Sequence, residues 1–165
     1  MMARRCFLIS CTVMLAALAT TTSTNTLRAA EPTVKLAIVV AKSSPLTALS
    51  GNELKRLYLG EYVSGPDSKK LIALNQAADS PDREGFRKVV IGMTSDEIGR
   101  YWIDRKIRGQ SGPPKSVGSA DQVRRVVARL EGAVGYVRVN EVNAEVKIVR
   151  IDGKTPDNLG YRVQY

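Results

Sequence analysis

Ser80-Pro81-Asp82-Arg83 brings together residue types that could hold a small anion. A hydroxyl at a helix start, the free N–H groups of the first turn and a guanidinium would supply charge-assisted hydrogen bonds to an oxyanion. Asp82 opposes this, because a carboxylate beside an anion repels it, and Pro81 removes one amide donor. The same residues also read as an ordinary helix start: Ser80 caps, Pro81 takes the first helical position, Asp82 offsets the dipole and Arg83 is solvated. Ser43 and Ser44 form a second candidate, since they follow an apolar strand, and open α/β sheets bind ligands beyond the carboxyl ends of strands. As loop serines before Pro45 they are equally ordinary. Two or three such bonds, at roughly 1.5–3 kcal/mol each before association costs, support about millimolar affinity.

Other chemistries find no footing. The chain has no histidine, its two cysteines (Cys6 and Cys11) both fall in the first apolar stretch, and its acidic residues form no metal or paired-carboxylate motif. No catalytic role, metal or cofactor is therefore expected. The formal net charge of +9 favours anionic partners such as phosphate, anionic lipid or acidic polymers. Dispersed basic residues and an aromatic content of 5% argue against specific nucleic-acid binding. Arg124, Arg125 and Arg129 read as a solvated helix face, and Tyr101 with Trp102 as packing residues.

These groups need a scaffold, and the patterning predicts one. Residues 34–41 form a β-branched apolar run suited to a strand covered on both faces. Ser50 with Glu53, and Thr94 with Glu97, have capping-box spacing, while Ser119 with Gln122 can cap a third helix bearing Val123, Val126, Val127 and Leu130. Residues 71–74 predict a second strand and 75–78 a polar loop at its end. Phe86, Val89 and Val90 form the stripe of the helix that Ser80 starts. Residues 110–114 must turn, 115–117 suit a very short strand, and 133–139 and 146–151 predict two more strands before an extended tail at 161–165. Strands alternating with helices predict a layered α/β sheet.

Arg4 and Arg5 followed by the apolar residues 6–19 have the layout of a secretory signal, too short for a membrane span. Residues 1–30 are thus expected to be signal and short leader, with cleavage between 19 and 30, and 31–165 to be one α/β domain. The expected location is periplasmic or secreted, with no span once the signal is removed.

Several ordered motifs resemble the small phosphate-type substrate-binding proteins of ABC transporters. They are Glu53-Leu54-Lys55-Arg56-Leu57-Tyr58-Leu59-Gly60, Ser80-Pro81-Asp82-Arg83-Glu84-Gly85-Phe86, Tyr101-Trp102, the turn from Gly109 to Pro114, and Gly132-Ala133-Val134-Gly135-Tyr136-Val137. The resemblance implies a single lobe of the type II periplasmic-binding-protein-like fold, with a mixed, mainly parallel sheet and helices on both faces. In the larger relatives a Ser-Gly-Thr segment opening a helix binds phosphate; it matches Ser80, Pro81 and Asp82, where only the serine is kept. The function implied is an exported phosphate or oxyanion binder of the cell envelope, weak or dependent on a partner. The alternative is an envelope interaction protein that keeps the fold without a ligand.

Overall fold

The computed structural model describes residues 33–165, so the expected leader lies outside the described residues. Strand β1 (Leu36–Ala41) is buried at every position. Leu36, Ile38 and Val40 enter one core, while Ala37 and Val39 enter a second, as period-2 alternation on a doubly covered strand requires. The chain then runs through β2 (Ala48–Leu49), α1 (Gly51–Tyr58), β3 (Ile72–Gln76), α2 (Pro81–Phe86) and a π-helical turn, Arg87–Ile91. After α3 (Ser95–Ile107) come β4 (Lys115–Val117), α4 (Ala120–Arg129), β5 (Ala133–Arg138), β6 (Val146–Ile148) and β7 (Arg150–Ile151).

The main sheet has the order β4-β3-β5-β1-β6, and β2 with β7 makes a small parallel sheet. β3 runs parallel to β4 and β5, whereas β1 is antiparallel to β5 and β6. Four strands of the main sheet therefore share a direction and β1 opposes them. Helices cover both faces, as expected. On one side Leu54, Leu57, Tyr58, Phe86 and Val90 pack with Ile38, Val134 and Tyr136; on the other, Val123 and Val127 of α4 pack with Val39, Leu74 and Val137. Gly135 permits the second contact, since a Cβ there would lie 2.5 Å from Val123 Cγ1.

Both capping boxes form, at Ser50/Glu53 and Thr94/Glu97. The hydrogen bond from the Ser50 backbone N–H holds the Glu53 carboxyl below its ordinary value, and that of Thr94 does the same for Glu97. A carboxyl depressed in the folded state stabilises the fold above its unfolded pKa, about 4.3, and that contribution is lost as pH falls through the lower folded value. Urea midpoints measured from pH 6 to pH 3 should therefore fall less steeply in a Glu53→Gln, Glu97→Gln double variant than in the wild type. Parallel curves would show that the boxes carry no proton linkage.

Three boundaries differ from the sequence expectation. β3 continues through Asn75 and Gln76, because β4 pairs with both and the buried Gln76 amide donates to the Tyr136 carbonyl at 3.1 Å. Residues 146–151 form two strands in different sheets, and Leu130, beyond the end of α4, is 40% exposed. The tail does lie extended: Val34 and Tyr165 exchange backbone hydrogen bonds, and the Tyr161 hydroxyl donates to the Leu36 carbonyl. Tyr101 packs edge-on to Trp102 and donates to the Leu59 carbonyl, while Arg124 and Arg125 both pair with Asp121.

Candidate functional site

β3 ends at Gln76, and α2 begins five residues later, so Ser80 and Arg83 stand just beyond the carboxyl end of a parallel strand. Ser80 has the extended backbone of a cap, yet its hydroxyl donates to Gln76 Oε1 at 2.8 Å and makes no capping bond to the helix. Arg83 Nη1 donates to the Gln76 carbonyl at 2.9 Å and to Ser116 Oγ of β4 at 3.0 Å. Gln76 thus ties both side chains to the strand end. Among the described residues no carboxylate pairs with Arg83. The half-buried guanidinium is thus held only by neutral acceptors, with no carboxylate of the described residues against it.

Asp82 is turned away from this arrangement. It is 5% exposed, accepts from Arg138 Nε at 2.8 and 3.1 Å, and accepts from the Tyr165 hydroxyl at 2.7 Å. Hydrogen bonding to Asp82 raises the Arg138 pKa, and burial, reinforced by the bond to Asp82, pushes the Tyr165 hydroxyl up to about 12. The carboxylate that opposed an anion at Ser80 is thereby neutralised from the other side. Gly85 makes room for the arrangement, because a Cβ at that position would run into the Tyr165 ring.

Ser43 and Ser44 lie elsewhere. Leu36 pairs with Arg138 and Val39 with Gly135, so β1 proceeds toward Ala133, which pairs with Ile72 at the start of β3. The carboxyl end of β1 is consequently at the amino ends of its neighbours, the end opposite Ser80 and Arg83. There the two serines line a cavity of about 300 Å³ shared with Asp67, Arg129 and Glu131. Ser44 Oγ accepts from the Leu46 N–H at 3.2 Å, and the Ser44 carbonyl accepts from Lys147. The four candidate residues therefore do not form one site: Ser43 and Ser44 lie at one end of the sheet, and Ser80 and Arg83 at the other.

Sequence reasoning missed Gln76, Ser116, Arg138 and Tyr165. Ser116 stands 33 positions from Arg83, and Arg138 stands 56 from Asp82. Only strand pairing brings them together, and no local pattern announces it. The signal that existed was the polar Asn75-Gln76 at the end of an apolar strand.

The sequence matches no family model and no curated protein. Solved structures do match. An ABC-type phosphate transport receptor from Vibrio cholerae aligns with a TM-score of 0.65 at 23% identity, over 80% of this chain and 54% of the other. For a putative phosphate ABC transporter substrate-binding protein with bound phosphate from Clostridium perfringens the values are 0.59, 19%, 73% and 46%. PstS from Borrelia burgdorferi gives 0.61, 16%, 80% and 55%. The chain spans about half the length of these proteins. With four strands running one way, one opposing them and helices on both faces, the chain has the mixed α/β fold of these phosphate-type substrate-binding proteins, built as a single lobe.

Proposed function

We propose that the protein is an exported binding module of the cell envelope, without catalytic activity, that takes a small oxyanion weakly at Arg83. The observation that carries this reading is the uncompensated Arg83 guanidinium at the carboxyl ends of β3 and β4, with Ser80 and Ser116 beside it. Neighbours of the same fold include one solved with bound phosphate, which makes phosphate the first probe. The periplasmic location rests on the charged and apolar start of the sequence; among the described residues no helix is long and apolar enough to cross a membrane. Affinity stays weak because the site is open: a few charge-assisted bonds without a covering surface give about millimolar binding. A second reading, an envelope interaction protein, draws on Ile103 and Ile107, which are 62% and 80% exposed one turn apart on α3.

Phosphate titration followed by amide and side-chain NMR shifts tests the first reading. Residues 80–83 and Ser116 should move with a millimolar midpoint, and Arg83→Gln should weaken binding at least about tenfold, as loss of a charge-assisted bond requires. Silence at tens of millimolar, or shifts confined to Ser43 and Ser44, would overturn it.

A further inference from the structure

Resting on the reading of Arg83 as an anion site, we infer that the anion it takes carries an apolar body, so that the ligand class is a small organic monocarboxylate. Arg83 lines an open cavity of about 190 Å³ between α2, its π-helical turn and α3. Much of its wall is apolar, from Phe86, Ile91, Ile98, Trp102 and Pro113. A bare tetrahedral anion at Arg83 would leave these walls facing water, whereas an aliphatic or alicyclic group would cover them.

The polar groups fit the same class. Arg83 Nη1 is held by the Gln76 carbonyl and Ser116 Oγ, which leaves its Nη2 and Nε hydrogens to donate in the parallel pair that a carboxylate accepts. Asn75 also lines the cavity; its Oδ1 accepts from the Tyr136 hydroxyl, so its Nδ2 remains as a further donor. Arg87, the second guanidinium in the wall, already pairs with Glu84 and donates to the Met93 carbonyl. One uncommitted positive charge balances a single negative charge, which favours a monocarboxylate over a dianion.

Trp102 is the only tryptophan of the chain, and it sits in the cavity wall, so its emission reports occupancy. The purified protein is titrated at fixed ionic strength with cyclohexanecarboxylate, acetate and inorganic phosphate, reading Trp102 emission together with NMR shifts at Asn75, Arg83 and Ser116. Cyclohexanecarboxylate should bind at least tenfold more tightly than acetate and move Trp102, and Arg83→Gln should abolish the response. Gly99 supplies a second variant, because it lines the cavity and a Cβ there meets nothing within 4 Å. Gly99→Leu should fold, since removing a glycine from a helix favours the helix, and its side chain should exclude cyclohexanecarboxylate while acetate still shifts Arg83.

Phosphate moving Arg83 and Ser116 while no carboxylate moves Trp102 would overturn the organic-acid inference and leave the anion site standing. Equal cyclohexanecarboxylate binding by Arg83→Gln, or by Gly99→Leu, would also overturn it. No shift at Arg83 with any of the three ions would overturn both readings.

Discussion

Phe86→Ala is expected to lower the unfolding free energy by about 4 kcal/mol, within the range for truncating a fully buried aromatic ring. Phe86 is 1% exposed and stacks on Tyr136 with ring centroids 4.1 Å apart and planes 4° from parallel. Its ring centroid also lies 4.5 Å from that of Tyr58, in a tilted contact. The two tyrosines cannot follow the ring into the space it leaves. The Tyr58 hydroxyl donates to the Leu74 carbonyl at 3.0 Å, that of Tyr136 donates to Asn75, and burial pushes both hydroxyl pKa values upward. The cavity would stay largely open, and the cost would combine lost transfer energy, lost stacking and the void. Because α2 has only six residues, packing rather than intrinsic propensity holds it in place. The same substitution should therefore weaken anion binding at Arg83, three residues earlier on the same helix. Urea unfolding of the variant checks the first claim, and a loss below about 1.5 kcal/mol would show that Phe86 does not pin α2.

The elements legible in the sequence were those encoded by neighbours in the chain. The apolar run of β1, the two capping boxes and the Val123/Val127 stripe of α4 each follow from contacts a few residues apart, and each appears in the structure. The helix started by Ser80 was legible in place and less so in kind: Phe86, Val89 and Val90 suit an α-helix and a π-helical turn alike, so the widening at Arg87–Ile91 leaves no mark on the spacing. Strand direction was not legible. Nothing in an apolar run says whether its partners lie parallel, so the rule about carboxyl ends selected Ser43 and Ser44 at an end of the sheet where β1 points the wrong way. For the same reason the sequence shows Asp82 only beside its immediate neighbours. Next to Ser80 and Arg83 it opposes an anion; seen with Arg138 and Tyr165, it is the anchor of α2.

That anchor is where the second large effect should appear. Arg138→Met would leave the Asp82 carboxylate, whose side chain is 8% exposed, with the Tyr165 hydroxyl as its remaining donor. Breaking a fully buried pair by removing one partner costs roughly 3–5 kcal/mol. The Arg138 side chain is 42% exposed, so solvent screens part of the interaction, and a loss of about 2–3 kcal/mol is expected. The double variant Asp82→Asn, Arg138→Met removes the stranded charge along with its partner and should recover part of that loss, giving a favourable coupling in a double-mutant cycle. Binding separates this role from a purely structural one. With Arg138 gone, the negative charge on α2 is no longer balanced from behind, so phosphate affinity at Arg83 should drop in the single variant and return in the double one. If Arg138→Met costs less than about 1 kcal/mol, or if the double variant binds phosphate no better than the single, then Asp82 is not what Arg138 holds in check, and the orientation of α2 has another source.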